Sequence, residues 1–156
     1  CQLDVKRIVL ESLNRGPKYF RLGLNNNTIE KTFENGFGIL NIREEAETTV
    51  VSLGPIAQEF VGIHKDFDHF SCLEFPFTTI PSSLEESVKK TKRLVVAEEH
   101  TQSGGVGEKI VAMLHAKDIK FNFSHRFANH YEGGYGDQSF HRIQNGLDKE
   151  SLAEIV

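Results

Sequence analysis

The stretch that decides the fold is LVVAEEHTQSGGVG, residues 94–107. Its apolar start is typical of a buried strand, and its three glycines lead into a segment in which Ile110, Val111 and Leu114 recur at helical spacing. The stretch therefore predicts a strand, a glycine-rich loop and a helix, which together form the repeating unit of an α/β sheet.

Similar elements extend in both directions from this stretch. Strands are predicted at residues 39–42, 48–53 (the two forming a pair), 70–75, 93–97 and 119–123. Helices are predicted after Pro55, from Ser83 to Lys90 with Ser83 and Glu86 as a capping box, and after Asp148 with Leu147 and Leu152 as a hydrophobic staple. The alternation predicts an α/β fold: a three-layer domain with a mainly parallel, mixed sheet of about five strands and helices on both faces.

The N-terminal part of the chain follows a different pattern. A helix is predicted at residues 4–14, stopped by Gly16-Pro17, and a short strand at residues 18–22. A polar, asparagine-rich stretch then runs to Gly36, and we interpret it as a linker. The predicted division is residues 1–36 and a domain at 37–156. Because the sequence starts at Cys1 and its only methionine is Met113, we expect a fragment of a longer protein.

Composition limits the classes of partner. The 156 residues include 18 basic and 22 acidic side chains, and the net charge of −4 has no long run of one sign, which argues against nucleic acid. Two cysteines do not make a disulfide framework, so a reducing, cytoplasmic setting is expected. No apolar run reaches the roughly 18 residues that a membrane span needs.

A candidate site lies where the strand at 93–97 ends. It consists of Glu98, Glu99, His100, Gly104, Gly105 and Gly107. Open α/β sheets bind ligands at the carboxyl ends of their strands, and a glycine-rich helix start attracts anions. Against a phosphate cradle, the paired glutamates would repel the phosphate. The alternative interpretation is structural, with the glycines allowing the helix to pack close to the sheet.

Other clusters of reactive side chains match no standard motif. His64, Asp66, Asp68 and His69 form one group, and His125, His130 and His141 form another. The first group lies in a predicted loop, and the spacing of the second matches no zinc pattern. Cys72 sits among apolar residues like a buried small hydrophobe. The sequence therefore predicts no catalytic residue and no metal site.

The order of the motifs resembles the C-terminal domain of the transketolase family. The motifs are Leu53-Gly54, Thr79-Ile80-Pro81, residues 87–100, residues 104–108 and Gly146-Leu147-Asp148. The family also includes deoxyxylulose-phosphate synthase and the beta subunits of 2-oxo acid dehydrogenases. The resemblance covers about residues 37–156, and Glu-Glu-His followed by Gly-Gly-x-Gly is its most specific part.

The N-terminal stretch GPKYFRL, residues 16–22, resembles the last strand of the family's preceding pyrimidine-binding domain. The resemblance implies that Arg21 binds the substrate phosphate. It also implies a homodimeric enzyme that uses thiamine diphosphate and Mg²⁺ to transfer a two-carbon ketol unit between sugar phosphates, the cofactor serving as electron sink.

In that enzyme the present chain would serve in packing and assembly. Because the family's cofactor motifs belong to upstream domains, we expect it to bind no cofactor and to be inactive alone. The motif Glu98-Glu99-His100 with its glycines would then be structural. Two alternatives remain open: a fragment of a 2-oxo acid dehydrogenase beta subunit, and a regulatory module that binds a small anion at residues 104–107.

Overall fold

The computed structural model of the chain describes residues 2–13, 16–20, 31–129 and 135–156. The chain divides into two compact units, Cys1–Glu30 and Lys31–Val156. The described part of the first unit consists of helix α1 (Gln2–Ser12) and of irregular structure at residues 16–20. The strand predicted at residues 18–22 is therefore wrong at residues 18–20, and its last two residues lie outside the described part.

The described part of the second unit forms an α/β domain. Its elements are β1 (Thr32–Glu34), β2 (Phe37–Asn41), β3 (Thr48–Leu53), a 3₁₀ helix (Gly54–Phe60), β4 (Phe67–Cys72), α2 (Ser82–Thr91), β5 (Arg93–Glu98), α3 (Val106–His115), β6 (Asn122–Phe127), α4 (Gln138–Gln144) and α5 (Lys149–Ala153). Among the helices described, none has the length and apolar character needed to cross a membrane.

The strands form one six-stranded sheet in the order β1-β2-β4-β3-β5-β6. The pairings β4–β3, β3–β5 and β5–β6 are parallel, whereas β1–β2 and β2–β4 are antiparallel. This confirms the predicted mixed, mainly parallel sheet. The predicted pairing of β2 with β3 is wrong, because β4 lies between them and binds both.

Helices cover both faces of the sheet, as predicted. One core cluster joins α2 and α3 to the sheet and includes Val51, Val96, Leu84 and Ile110. The other joins the 3₁₀ helix and α5 to the opposite face and includes Val50, Val95, Phe60 and Leu152. Neighbouring residues of β3 and β5 thus enter opposite clusters, because side chains alternate along a strand. The central strands are buried on both faces, which explains their continuous apolar sequence.

A hairpin at the edge of the sheet was not predicted. Asn35 and Gly36 connect β1 to β2 with φ angles of 50° and 78°, the positive values of a tight type I′ turn. The stretch interpreted as a linker up to residue 36 therefore includes a strand of the sheet. The compact unit accordingly begins at Lys31.

The same hairpin supplies the cap of α2. The predicted capping box of Ser83 and Glu86 is wrong, because the N-cap residue is Pro81 and makes no side-chain cap. Instead, Glu34 accepts hydrogen bonds from the Ser82 amide at 2.8 Å and from the Ser83 hydroxyl at 2.8 Å. Although burial opposes it, these bonds lower the pKa of Glu34. A carboxylate far away in sequence thus replaces the local cap.

The last helix begins as its sequence predicts. Asp148 is the N-cap of α5 and accepts a hydrogen bond from the Ser151 amide at 3.1 Å. Leu147 and Leu152 are both buried in one core cluster, in keeping with the predicted staple. α5 therefore closes the second face of the sheet.

Candidate functional site

The carboxyl end of β5 places Glu98 at the first turn of α3. Glu98 is the last residue of β5 and is fully buried. Its Oε2 accepts a hydrogen bond from the backbone N–H of Val106 at 2.9 Å, and its Oε1 accepts one from Gly107 at 3.0 Å. The first amides of a helix lack partners within the helix and favour a negative charge. Glu98 therefore caps α3 from within the sheet.

A histidine from the neighbouring strand completes this cluster. His125 of β6 donates from Nε2 to Glu98 Oε1 at 2.8 Å, and its side chain is only 8% exposed. Burial by itself would raise the pKa of Glu98, but hydrogen bonds from His125, Gly107 and Val106 together hold it below the usual glutamate value. Glu98 is thus ionised at neutral pH and joins β5, β6 and α3.

Two of the glycines are required by the close approach of these side chains. A Cβ atom on Gly105 would lie 2.5 Å from Glu98 Oε2, and one on Gly107 would lie 2.6 Å from His125 Nε2. Gly104 has a different reason, since its φ of +76° belongs to the left-handed region that favours glycine. A side chain would therefore clash at Gly105 and Gly107 and would be strained at Gly104.

Gly105→Ala is expected to lower the free energy of unfolding by about 2 kcal/mol, because the new methyl group would push the buried Glu98 carboxylate off its amide donors. Denaturant unfolding measures the change. Ser103→Ala, at an exposed position of the same loop, is the matched control and should alter stability by less than about 0.5 kcal/mol. Equal stability of the two variants would contradict this geometry.

Glu99 and His100 point away from Glu98 and do not form one site with it. Glu99 Oε1 accepts hydrogen bonds from Arg142 Nε at 2.8 Å and from Gln138 Nε2 at 3.0 Å, both on α4. The His100 side chain is exposed, with Nδ1 3.1 Å from the Thr101 carbonyl oxygen. The side chains of Glu98, Glu99 and His100 therefore contact α3, α4 and solvent respectively.

The cluster at residues 64–69 is likewise divided. Asp68 is buried in β4 and accepts hydrogen bonds from the Ser87 hydroxyl and the Arg43 amide, both at 2.7 Å. His69 is also buried, with its Nε2 2.9 Å from the Ser52 hydroxyl oxygen, and burial lowers its pKa to about 3. His64 and Asp66 are exposed. Asp68 and His69 thus belong to the packing of the sheet.

The remaining candidates are also dispersed. His141 is exposed on α4, and His130 lies outside the described residues. Cys72 is buried, and burial raises the pKa of its thiol to about 12. Within residues 2–13, 16–20, 31–129 and 135–156, no three His, Cys, Asp or Glu side chains converge as metal ligands would. Arg21, the residue expected to bind phosphate, lies outside the described part of the chain.

His125 is the member of the site that the sequence did not reveal as a partner of Glu98. The two residues are 27 positions apart, and only the parallel pairing of β5 with β6 brings them together. The available signal was the alternation Phe123-x-His125-x-Phe127, which places the imidazole between two aromatic rings on one face of a strand. Their centroids lie 5.5 and 4.9 Å from that of the imidazole.

The chain is similar to a solved structure but to no curated protein. A crystal structure of a transketolase from Campylobacter jejuni subsp. jejuni NCTC 11168 is 15% identical to the chain, with a TM-score of 0.49. The match covers 80% of this chain and 19% of that transketolase. None of the curated proteins matches the chain by sequence.

The family comparison matches the part of the chain that holds the site. The family described as "Transketolase, C-terminal domain" matches residues 70–137, which include Glu98, the three glycines and His125. This bears out the resemblance drawn from the order of the motifs. Residues 70–137 therefore match the C-terminal domain of transketolases.

Proposed function

We propose that the chain is the structural C-terminal domain of a thiamine-diphosphate-dependent enzyme of the transketolase type, which transfers a two-carbon ketol unit between sugar phosphates. The family match at residues 70–137 supports the enzyme class. One observation carries the structural role: the Glu98 carboxylate is fully buried and bonded to α3 and His125. The negative charge of Glu98 therefore stabilises contacts within the domain.

The cofactor of the family does not fit the described residues of this chain. A diphosphate needs several converging donors, and Mg²⁺ needs converging oxygen ligands. The amides of Val106 and Gly107 already donate to Glu98, and the described ranges hold no cluster of three acidic, histidine or cysteine side chains. We therefore assign thiamine diphosphate and Mg²⁺ to upstream domains of the same enzyme.

The same amides bear on the alternative of an anion-binding regulatory module. A free anion at residues 104–107 would compete for the Val106 and Gly107 donors with a carboxylate that is covalently part of the domain. The Gly104 amide in turn donates to Glu108 at 2.6 Å. A phosphate at the loop would thus meet the carboxylates of Glu98 from β5 and of Glu108 from α3, which favours the structural interpretation.

We assign the domain a role in assembly. Glu98 joins β5, β6 and α3, while Glu99 and Glu59 connect separate segments through Arg142. These contacts occupy the three carboxylates within the domain, and its surface is left for contacts with other domains. We propose that this surface packs against the upstream thiamine-binding domains in a cytoplasmic homodimer.

Calorimetry tests the proposal on the chain alone. Thiamine diphosphate with Mg²⁺ is expected to give no binding heat, and ketose phosphates no turnover, because the described residues bring no three metal-ligating side chains together and the Val106 and Gly107 amides already donate to Glu98. The intact enzyme that contains this domain is expected to transfer ketol units under the same conditions. A micromolar dissociation constant for the chain alone would contradict the proposal. Turnover of 2-oxo acids instead of sugar phosphates would identify a dehydrogenase beta subunit.

A further inference from the structure

Helix α4 is attached to the domain by polar side chains. None of its residues is buried, and its apolar residues Phe140 and Ile143 are 39% and 61% exposed. Arg142 is its most protected residue, with a side chain that is 11% exposed. Helices are normally held to a domain by burial of an apolar face. That contribution is small here.

Arg142 connects α4 to segments that follow two different strands. Its Nη1 donates to Glu59 Oε1 at 2.6 Å, in the 3₁₀ helix that follows β3. Its Nε donates to Glu99 Oε1 at 2.8 Å, directly after β5. Beyond the helix, Asn145 accepts a hydrogen bond from the Asn129 amide at 2.7 Å, just after β6. α4 therefore lies across the carboxyl ends of three parallel strands.

This position is the topological switch point of the sheet. β3 continues into the 3₁₀ helix on one face, whereas its neighbour β5 continues into α3 on the other. Open α/β sheets bind ligands in the crevice that forms where adjacent strands send their connections to opposite faces. α4 covers that place.

The attachment of α4 is strong at one end and weak along its length. Leu147 is buried directly after the helix, and Gly146 between them has a φ of +63° that favours glycine. Arg142 Nη2, by contrast, is buried and has no hydrogen-bond partner among the described residues. An unpaired buried donor costs free energy and weakens the closed position. The C-terminal end thus provides a pivot.

We propose that α4 is a charge-held strap over the carboxyl end of the sheet, and that the ion pairs of Arg142 with Glu59 and Glu99 set how much of the time it is closed. Opening breaks these pairs but exposes little apolar surface, so the sheet can stay folded. Because the carboxylates of Glu59 and Glu99 keep 23% and 15% of their exposure, salt weakens these pairs in part, and the closed population falls modestly as ionic strength rises.

Hydrogen exchange of the full 156-residue chain tests the strap. In Arg142→Gln the Asn129 amide, which donates to Asn145 of the strap, and the amides of His141 and Asn145, which lie in a short helix that frays once it is released, are expected to exchange at least about tenfold faster. The amides of β3 and β5 are expected to be unchanged. Raising NaCl from about 0.05 to about 0.5 M should speed the same amides about threefold in the wild type and leave Arg142→Gln unaffected.

Arg126→Gln is the matched control, since Arg126 is a partly exposed arginine of β6. In Arg126→Gln the amides of the strap should exchange as in the wild type, and their exchange should still become faster as NaCl is raised. Arg142→Lys retains the positive charge but loses the planar guanidinium with its two sets of donors. Its strap amides are expected to exchange at a rate between those of the wild type and of Arg142→Gln. Unchanged exchange in Arg142→Gln would overturn the strap. So would faster exchange throughout β3 and β5, because Arg142 would then support the whole domain.

Discussion

Glu98→Gln is expected to lower the free energy of unfolding by about 3 kcal/mol. The substitution keeps the size of the side chain but replaces one accepting oxygen with an NH₂ group that faces the donors of Val106, Gly107 or His125. A buried donor is then left without an acceptor, and the first turn of α3 loses its negative charge. Urea unfolding measures the loss. Glu45→Gln, which removes an exposed carboxylate between β2 and β3, is the matched control.

The expected loss depends on pH in a defined direction. The folded-state pKa of Glu98 lies below its usual value, so the folded chain binds this proton more weakly than the unfolded chain does. The stabilisation is complete above the unfolded-state pKa of about 4.3 and is lost as pH falls through the folded-state pKa. The stability difference between the wild type and Glu98→Gln should therefore shrink below about pH 4. A constant difference down to pH values of about 3 would contradict the ionised cap.

Arg21→Ala in the intact enzyme is expected to reduce the preference for phosphorylated substrates by roughly 30- to 1000-fold, or about 2 to 4 kcal/mol. Arg21 lies outside the described residues, and the proposal rests on its place after Gly16-Pro17 in the stretch that resembles the end of a pyrimidine-binding domain. A planar guanidinium can bind two phosphate oxygens at once. If ground state and transition state are bound equally, the loss appears mainly in KM.

Comparison of kcat/KM for phosphorylated and unphosphorylated substrates measures the effect of Arg21→Ala. The unphosphorylated substrate should change little, because it never makes the contact. Lys18→Ala, at an exposed cation of the same stretch, is the control and should keep the preference. Equal loss of activity on both substrates would indicate a structural role for Arg21 instead.

The central part of the fold could be predicted from sequence because β3 and β5 are buried on both faces. Their apolar runs gave bounds close to those observed, with β3 at Thr48–Leu53 and β5 at Arg93–Glu98. β4 was placed three residues too late, because its first half contains the buried polar residues Asp68 and His69. The last strand, predicted at residues 119–123, lies further along the chain at Asn122–Phe127. The apolar pattern did not reveal it, because β6 contains the polar residues Ser124, His125 and Arg126. Polar strand residues are buried only because partners distant in sequence satisfy them.

The sequence predicted which residues lie near the end of β5, but it did not predict which of their side chains are in contact. Glu98 and the glycines were expected together, and they meet at the start of α3. Glu99 was expected beside Glu98, yet its side chain leaves in another direction because successive side chains alternate along a strand. His125 was missed as a partner since its contact depends on the register of β6 against β5. Contacts across strands are set by the fold, not by local sequence.

The most direct test of the account measures stability and turnover together in the intact enzyme with Glu98→Gln. If the motif serves structure and assembly, the denaturation midpoint should fall, while kcat per correctly assembled dimer stays within about twofold of the wild type. Glu45→Gln should change neither quantity. A fall in kcat of about 100-fold or more with an unchanged midpoint and an unchanged dimer would contradict the account. That result would place Glu98 in the chemistry of the enzyme.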